Sequence, residues 1–370
     1  MWLRKIEADR LRNLKAVSLD LDAGLTVLSG RNGQGKSSIL ESIYLLATGR
    51  SFRTRKQDEL VAWSGGPMRV AGDYQWRGGR SSLAVIQDGP ARALLADGLD
   101  LPFEEYIGRL GMVDLTAERM QVLRGGPEER RRFLDRGIVG LSPSFLRILG
   151  EYRQIRAQRN ALLRAMAGGR TRSNQLEAWD QRLVQAAGRV HRGRREYAVL
   201  LAGKLGEPCR RLYPDGAELT LRYQPSPAAS REMDPSEYES VLLAALEKNR
   251  ERDIGLGFTA SGPHRDDLTV EMDGTDLRKF GSAGQVRGAM VAMKLAKLAR
   301  LQEDLEESPI FVMDDFDSDL DEERAAILAK YLHTGGFQAI VATSKEEFAL
   351  RLPVPFRNVK VADGTVSVIA

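Results

Sequence analysis

The sequence predicts an α/β fold in which a mixed, doubly wound sheet is joined by a second, mainly helical lobe that bears a short antiparallel helical arm. Three observations predict it. A strand, a glycine-rich loop and a helix follow one another near the N-terminus, an apolar run ending in two aspartates precedes a helix and a strand near the C-terminus, and the middle of the chain has helical periodicity. We expect the sheet lobe at residues 1–115 and 300–370, the helical lobe at 116–299 and the arm at about 128–205.

The composition indicates a globular protein with a sizeable core. The chain has 370 residues, of which 42% are hydrophobic and 29% charged, and this length allows two or three lobes. The single cysteine, Cys209, excludes a disulfide framework and a Cys-x-x-Cys metal site. The charged N-terminal segment lacks the apolar core of a signal peptide, and no run of 18 apolar residues occurs. We therefore expect a cytoplasmic protein without a membrane span.

The N-terminal elements lead to a phosphate-binding loop. The first 22 residues predict two strands around Leu-Arg-Asn-Leu, and a further strand precedes Gly30 to Ser37, which satisfies G-x-x-x-x-G-K-[ST]. In such a loop the amides surround phosphate oxygens, the lysine reaches the β and γ phosphates, and the serine hydroxyl binds Mg²⁺. The predicted nucleotide-binding residues are Gly30, Arg31, Asn32, Gly33, Gln34, Gly35, Lys36, Ser37 and Ser38.

The middle of the chain predicts strands and then a helical hairpin. Turn signals divide a strand-rich stretch from about residue 60 to 115, and the pattern becomes helical from Pro127. Two apolar stripes with a turn at residues 167–173 between them predict an antiparallel hairpin. Arg159 interrupts the first stripe, so it either extends to solvent or binds a partner carboxylate. The stripes consist of Tyr152, Ile155, Arg159, Leu162 and Met166, and of Leu176, Trp179, Leu183, Ala186 and Val190.

An arginine-rich run suggests contact with phosphates. Between Arg119 and Arg172 there are thirteen arginines, no lysine and four acidic residues, and five more arginines follow by Arg195. The alternative is a solvated helical face, the usual role of a charge run. Arginine suits planar contacts with phosphates, so nucleic acid is a candidate partner, without base specificity being implied.

The C-terminal third contains the acidic residues that would complete the nucleotide site begun by the phosphate-binding loop. The apolar run from Ile310 to Met313 predicts a buried strand that ends in Asp314 and Asp315, a Walker B pattern. Asp314 would hold Mg²⁺ through its water shell, and Asp315 would polarise the attacking water beside Lys36. The alternative is an acidic turn that caps the following helix, with Asp321 as its N-cap. A strand at 337–343 follows, as a doubly wound sheet requires.

A signature-like turn lies between the two halves. A β-hairpin is predicted at Asp273-Gly274, and Ser282, Gly284 and Gln285 then open a long helix. The simple alternative is an N-capping serine. Because the turn follows a Walker A loop and precedes a Walker B strand, the motif order is that of ABC-type ATPases.

The sequence resembles the RecF family, the SMC-related ABC ATPases of bacterial recombinational repair. The resemblance spans almost the whole chain and includes segments that are not general to ABC proteins. Those segments are notably "RRRFLD", "QRNALL" and "GPHRDDL". All the resembling segments, in their order along the chain, are "LRNL", "NGQGKSSILESIYLLATGRSFRT", "LRGGPEERRRFLD", "YRQIRAQRNALL", "LEAWDQRLV", "GPHRDDL", "GSAGQVR", "MDDFDSDLD" and "QAIVAT".

The resemblance implies an ABC head that forms an ATP-dependent homodimer around two ATP molecules with Mg²⁺. By that similarity Ser282, Gly284 and Gln285 would approach the γ-phosphate bound by the partner, and Asp321 would lie at the same joint. Arg12 matches a position near the nucleotide in related heads, although an exposed strand-end arginine explains it equally well.

The family's role implies that single-stranded and double-stranded DNA, at gaps or stalled forks, is the partner. RecO and RecR would assist it in loading RecA during replication-associated and SOS repair. It further implies a weak, DNA-stimulated ATPase in the nucleoid-containing cytoplasm.

The sequence departs from the family pattern at two places, and it leaves two alternative functions open. Asp317 is acidic where the family usually has an uncharged residue, and Thr343-Ser344-Lys345 stands where many related heads have a histidine. We expect His264 and Arg265 to be structural hydrogen-bonding residues. The alternative functions are another SMC-like or AAA ATPase of a defence or plasmid system, and a DNA-binding scaffold with a weak or vestigial ATPase site.

Overall fold

The computed structural model describes residues 1–54, 56–62, 65–116, 121–169, 175–231 and 234–369, with the backbone alone at Gln121, Pro235, Ser318 and Asp319. The strands are β1 Trp2–Leu11, β2 Leu14–Asp20, β3 Leu25–Ser29, β4 Met68–Trp76, β5 Gly79–Asp88, β6 Ala91–Ala96, β7 Leu99–Asp100, β8 Met112–Leu115, β9 Leu219–Gln224, β10 Asp267–Met272, β11 Thr275–Asp276, β12 Ile310–Met313, β13 Ala339–Thr343, β14 Phe356–Ala362 and β15 Thr365–Ile369. The helices are α1 Lys36–Thr48, α2 Phe103–Tyr106, α3 Gln121–Arg124, α4 Pro127–Leu141, α5 Phe145–Ala167, α6 Leu176–Gly203, α7 Gly206–Leu212, α8 Tyr238–Lys248, α9 Arg250–Leu256, α10 Leu277–Phe280, α11 Ala283–Leu305, α12 Phe316–Asp319, α13 Glu322–Thr334 and α14 Glu346–Leu350. Short 3₁₀ turns occur at Asp58–Leu60, Ala228–Arg231, Pro235–Glu237 and Pro263–Arg265.

A largely parallel sheet in the order β15-β14-β3-β13-β12-β8 forms the centre of the molecule. The four neighbouring strand pairs from β14 to β8 are parallel, and β15 is antiparallel to β14. Successive residues of β12 enter opposite cores: Ile310 and Val312 on one side of the sheet, Phe311 and Met313 on the other. Burial on both faces explains why this strand is apolar without alternation, and it confirms the predicted doubly wound sheet.

An antiparallel sheet in the order β2-β1-β4-β5-β6-β7 covers one face of the central sheet. Helix α1 packs between the two sheets, and its Ile39, Leu40 and Ile43 share a core with residues of both. The predicted strands on either side of the 11–14 segment and in the 60–115 stretch are confirmed.

The helical half contains the predicted hairpin, packed as an integral part of the fold. Helices α5 and α6 pack against each other, and α8, α9 and β9 pack on them. Tyr152, Ile155 and Arg159 of the predicted stripe are buried, but the stripe then passes through Leu163 rather than Leu162. Of the predicted turn, residues 167–169 lie in the described part of the chain and 170–173 lie outside it.

A small sheet in the order β11-β10-β9 accompanies these helices. Its hairpin turns at Asp273-Gly274 as predicted, with Met272 paired to Thr275, whereas strand β9 had no sequence signal that we recognised. The lobe boundaries stay a prediction, and α11 runs without a break across residues 299 and 300. Over the residues described, no helix has both the length and the apolar character needed to cross a membrane.

Candidate nucleotide-binding site

The loop between β3 and α1 has a backbone that requires glycine at its two ends. Gly30 has φ 149° and Gly35 has φ 113°. A Cβ on Gly30 would lie 2.3 Å from the carbonyl oxygen of Val361, and one on Gly35 would lie 2.9 Å from a methyl group of Leu14. The loop thus has the tight curvature of a phosphate-binding loop, and any larger residue at these positions would displace it.

The amides of this loop are available to an anion. Across the part of the chain that the structure describes, those of Gly33, Gln34 and Gly35 donate no hydrogen bond within the protein. They lie at the N-terminus of the 13-residue helix α1, where the helix dipole also favours negative charge. Arg31, Asn32 and Gly33 are exposed, so the loop opens to solvent.

Neighbouring segments hold the loop in this shape. The side chain of Gln34 accepts a hydrogen bond from the amide of Asp363 at 2.6 Å, and its carbonyl accepts one from Gly364 at 3.0 Å. Asn13 donates to the carbonyl of Gly33 at 3.0 Å and accepts from the hydroxyl of Ser38 at 2.7 Å. Asn13, within the 11–14 segment, is a site residue that the sequence reasoning missed, and Ser38 is buried against it.

Lys36 is buried and folds back over the loop. Its ammonium group donates to the carbonyls of Gly30 at 2.6 Å and Arg31 at 2.9 Å. Burial lowers the pKa of Lys36, and the carboxylates of Asp314, Asp315 and Asp317 oppose that shift. A cation held between the loop and these carboxylates is placed to bind phosphate oxygens.

Asp314 and Ser37 meet where β12 ends. Burial raises the pKa of Asp314, and the charge of Asp315 adds to the rise, while a hydrogen bond from the Ser37 side chain opposes it. A hydroxyl beside a carboxylate is the donor set expected for a Mg²⁺ held mainly by phosphates and water. The described residues include no cluster of three or more His, Cys, Asp or Glu side chains suited to a metal.

Asp315 follows in a left-handed conformation, with φ 49°. It is the N-cap residue of α12, yet its side chain makes no capping hydrogen bond. Aspartate enters this region more readily than most residues, and Asp97, Asp273 and Asp363 of this chain also adopt it. The residue is half-buried directly beside Asp314.

Asp317 connects the Walker B segment to the turn after β13. Its carboxylate accepts hydrogen bonds from the Thr343 hydroxyl at 2.8 Å, the Ser344 amide at 3.1 Å and the Ser344 hydroxyl at 3.0 Å. Burial opposes ionisation, but these hydrogen bonds hold the pKa of Asp317 below its usual value. The acidic departure noted in the sequence therefore has partners in the segment where related heads have a histidine.

Arg12 binds a buried carboxylate on α1. Its guanidinium donates to both carboxylate oxygens of Glu41, each at 3.0 Å, and to the carbonyl of Glu59 at 2.7 Å. Glu41 also accepts from the hydroxyl of Ser51. This arrangement gives Arg12 a structural role, and its contact with a nucleotide stays a prediction.

A second cluster forms around the start of α11. Ser282 and Gln285 make a reciprocal capping box, and both side chains are exposed. Arg324 donates to the carbonyl of Gly284 at 3.5 Å and forms an ion pair with Asp321, also at 3.5 Å. Asp321 is the N-cap of α13, as the structural alternative predicted, and it accepts from the Arg324 amide at 2.8 Å.

The predicted site residues thus divide between two places. The loop, Lys36, Ser37 and Asp314 form the first, whereas Asp321 joins the Ser282 turn in the second through Arg324. Within the described ranges, no hydrogen bond or ion pair connects residues 282–285 to the loop at 30–35. The first place has the groups needed to bind a nucleotide, and the second presents an exposed helix N-terminus.

His264 is structural, as expected. Its Nε2 lies 2.9 Å from the carbonyl of Thr259, which can only accept, so Nε2 carries the proton and Nδ1 accepts from the Tyr152 hydroxyl at 2.6 Å. Burial, with a smaller effect of Arg156, lowers the pKa of His264 to about 3. The exposed Arg265 lies over the ring of Phe258.

Three arginines of the run and of the segment that follows it form five ion pairs inside the protein. Arg130 binds Asp267, Arg159 binds Asp180 and Asp253, and Arg194 binds Asp135 and Asp266. All three arginines are buried, so these residues hold helices together and are not free for a phosphate backbone. Arg119, Arg170 and Arg172 of the run lie outside the described residues.

Comparison with known proteins identifies close relatives over nearly the whole length. Residues 5–75 match the model of the AAA domain. The DNA replication and repair protein RecF of Myxococcus xanthus (strain DK1622) is 33% identical over 347 residues, which cover 93% of this chain and 91% of the relative. The protein of the same name from Bacillus mycoides (strain KBAB4) is 30% identical, covering 99% and 98%.

Solved structures show the same fold. The structure described as the recombination mediator protein RecF-ATP in the RecFOR pathway superposes with a TM-score of 0.89 at 28% identity, covering 100% of this chain and 98% of that chain. The Smc head domain of Pyrococcus furiosus, bound to the C-terminal domain of ScpA, has a TM-score of 0.57 at 17% identity, covering 100% and 96%. The predicted ABC-type head of the SMC-related kind is therefore confirmed.

Proposed function

Because the chain belongs to the RecF family, we propose that it is an ATP-dependent DNA-binding protein of recombinational repair. Two copies close around ATP and Mg²⁺, the closed dimer holds DNA, and slow hydrolysis stimulated by DNA returns the protein to the open state. A ligand shifts a conformational equilibrium only through contacts that it makes in one state and not in the other. A nucleotide held between two copies makes such contacts.

The separation of the site residues into two clusters carries this proposal. The exposed turn of Ser282 and Gln285 has no hydrogen bond to the loop of its own chain in the described part of the structure. A second copy can bring this turn, with its helix N-terminus and serine hydroxyl, to the outer side of a bound triphosphate. The Asp321–Arg324 pair would enter the same joint.

Each residue of the first cluster then has a role toward the nucleotide. The loop amides and Lys36 would bind the phosphates, and Ser37 with Asp314 would hold Mg²⁺, which supplies charge neutralisation to the transferred phosphoryl group. Asp315 would orient the attacking water and accept its proton. The position of Asp315 beside Asp314 and its uncapped, half-buried side chain support that assignment.

The names of the similar proteins support the proposed partners of this chain. Those relatives are named DNA replication and repair proteins, and the structure superposed at a TM-score of 0.89 is of a recombination mediator in the RecFOR pathway. We therefore assign single-stranded and double-stranded DNA at gaps or stalled forks as the substrate, RecO and RecR as partners, and RecA loading as the outcome. The site of action is the nucleoid in the cytoplasm.

Light scattering coupled to size exclusion tests the dimer. At saturating ATP and Mg²⁺ the Asp315→Asn protein is expected to elute as a stable dimer, because it binds ATP without hydrolysing it. The Lys36→Ala protein is expected to remain monomeric. An Asp315→Asn protein that stays monomeric while binding ATP would overturn the ATP-dependent dimer.

A further inference from the structure

A groove of about 1940 Å³ lies between the antiparallel sheet and the helical half, and we call it the interlobe groove. Its walls come from the segment after α1, from β6 and α2, and from α4, α5 and α11. It is lined by eight lysine or arginine side chains against five carboxylates, an excess of three positive charges.

Two of the five carboxylates are neutralised from outside the groove. Asp135 binds Arg194 at 2.8 and 3.1 Å, and Asp114 forms an ion pair with Lys294 at 3.7 Å. Neither Arg194 nor Lys294 lines the groove. Two of the cations are likewise paired outside the groove, Arg53 with Glu41 at 3.7 Å and Lys56 with Glu59 at 3.5 Å, so the excess of three positive charges is unchanged.

The cations converge from segments that are far apart in sequence. Arg50, Arg53 and Lys56 follow α1, Arg92 lies on β6 and Arg153 lies on α5. The fold brings them together, while it places Arg130, Arg159 and Arg194 in internal ion pairs. The groove thus combines arginines of the run, such as Arg153, with cations from segments outside the run.

One of these cations is already oriented for a planar ligand. The guanidinium of Arg50 lies over the ring of Phe103, with 4.4 Å between its central carbon and the ring centroid. Beside it, burial lowers the pKa of Arg92 and repulsion from Arg50 lowers it further. Two neighbouring guanidinium groups favour an anion between them, and the Arg50–Phe103 pair offers a flat face on which a base can stack.

We propose that the interlobe groove binds the phosphate backbone of a single DNA strand. The inference rests on the proposed function, since it locates the DNA contact within that function. Charge favours a nucleic acid over an acidic protein segment, because a phosphodiester chain offers a regular row of anions for arginine. A single strand fits better than a duplex, because only its exposed bases can reach the Arg50–Phe103 face inside the groove.

Charge reversal tests the groove. Arg50 and Arg153 are both exposed, so Arg50→Glu and Arg153→Glu are compatible with folding. Arg182→Glu is the matched control, because Arg182 is an exposed arginine of the same region that stacks on Trp179 and does not line the groove. The probe is a fluorescent oligo(dT) of about 15 nucleotides, a length that covers common single-strand site sizes. Its anisotropy is measured with ATP at several salt concentrations, alongside a duplex of equal length and a fluorescent ATP analogue.

We expect each groove variant to bind oligo(dT) about tenfold more weakly and to lower the salt slope by about one, with ATP binding unchanged. The control is expected to change affinity less than twofold. Groove variants that match the control, with a wild-type protein that binds DNA, would overturn the groove and leave the proposed function standing. A duplex affected more strongly than oligo(dT) would overturn the choice of a single strand. A wild-type protein that binds neither oligo(dT) nor the duplex would overturn the proposed function itself.

Discussion

Asp317 shows at the scale of one residue how this chain differs from the pattern that it otherwise follows. The family resemblance leads one to expect an uncharged side chain here, yet the carboxylate accepts three hydrogen bonds from Thr343 and Ser344. The acidic residue and its donors are a matched set, since a buried carboxylate without them would be costly. Asp317 thus ties the Walker B segment to the turn after β13.

Replacing Asp317 by leucine is expected to destabilise the protein. Leucine leaves the amide of Ser344 without an acceptor and leaves the Thr343 hydroxyl only the carbonyl of Lys345 at 3.3 Å, at a cost of about 1–3 kcal/mol for an unsatisfied group. Asp317→Asn is the matched control, because its amide oxygen still accepts from both groups. Urea unfolding of the three proteins measures the difference. Equal stability of the leucine and asparagine variants would show that the hydrogen bonds do not matter.

At the scale of elements, buried ion pairs hold the helical hairpin to its neighbours. Arg159 on α5 donates to Asp180 on α6 at 2.6 Å and to Asp253 on α9 at 2.8 Å, and all three are buried. The apolar stripe predicted the hairpin, but it could not identify the partner of Arg159, because Asp253 lies 94 residues away. Of the two sequence alternatives for Arg159, the carboxylate contact is the one found.

Removing Arg159 alone is expected to lower the free energy of unfolding severely. Arg159→Met leaves Asp253 buried without its cation and leaves Asp180 only the longer pair with Arg250 at 3.7 Å, and breaking a buried pair in this way costs about 3–5 kcal/mol. Arg189→Met is the control, because Arg189 forms an exposed pair with Glu151 at 2.6 Å, and such pairs contribute less than about 1 kcal/mol. Chemical denaturation compares the two variants. If Arg159→Met loses no more free energy of unfolding than Arg189→Met, the structural role of the buried Arg159 ion pairs is contradicted.

His264 makes the packing of the α5 segment sensitive to acid. Its pKa is about 3 in the folded protein, below the ordinary value of 6.5, because burial and the positive charge of Arg156 disfavour the protonated ring more than the Thr259 carbonyl favours it. Between these two values the unfolded chain binds a proton that the folded chain does not, so stability falls as the pH falls below 6.5.

The His264→Gln protein isolates this effect. The stability difference between wild type and variant is expected to shrink by about 2 kcal/mol from pH 7 to pH 5, because only the wild type loses the contribution of the neutral histidine. Urea unfolding of both proteins at pH 7 and at pH 5 measures this change in the stability difference. His333→Gln at an exposed helix end is the control. A difference that is constant with pH would contradict the assignment.

The sequence predicts local features of this molecule better than distant ones. Gly30 to Ser37 and the strand before Asp314 are recognisable because each is a continuous pattern with a physical reason. The Arg194 network and the Asp317 contacts are not, since they join residues far apart in the chain. The arginine run illustrates the limit. Composition cannot distinguish an arginine that faces solvent from one that, like Arg194, is buried with two carboxylates.

At the scale of the whole molecule, the proposed dimer assigns the two clusters of one copy to two different sites. The loop and Asp314 lie at the carboxyl ends of β3 and β12, the usual place for a ligand in an open α/β sheet. The Ser282 turn begins α11 and faces solvent. A two-fold symmetric dimer would complete both sites at once, because each copy would contribute the same two surfaces.

Mixing two defective proteins tests this central claim most directly. Lys36→Ala removes the lysine of the loop, and Ser282→Arg obstructs the turn, so each protein alone is expected to lack ATPase activity. Because the Lys36→Ala protein does not dimerise with itself, the productive species in an equimolar mixture is the mixed dimer, and one of its two sites combines an intact loop with an intact turn. We expect the mixture to regain ATPase activity that neither variant has alone, up to about half of the wild-type turnover. A mixture as inactive as either variant, when the wild type hydrolyses ATP, would contradict that claim.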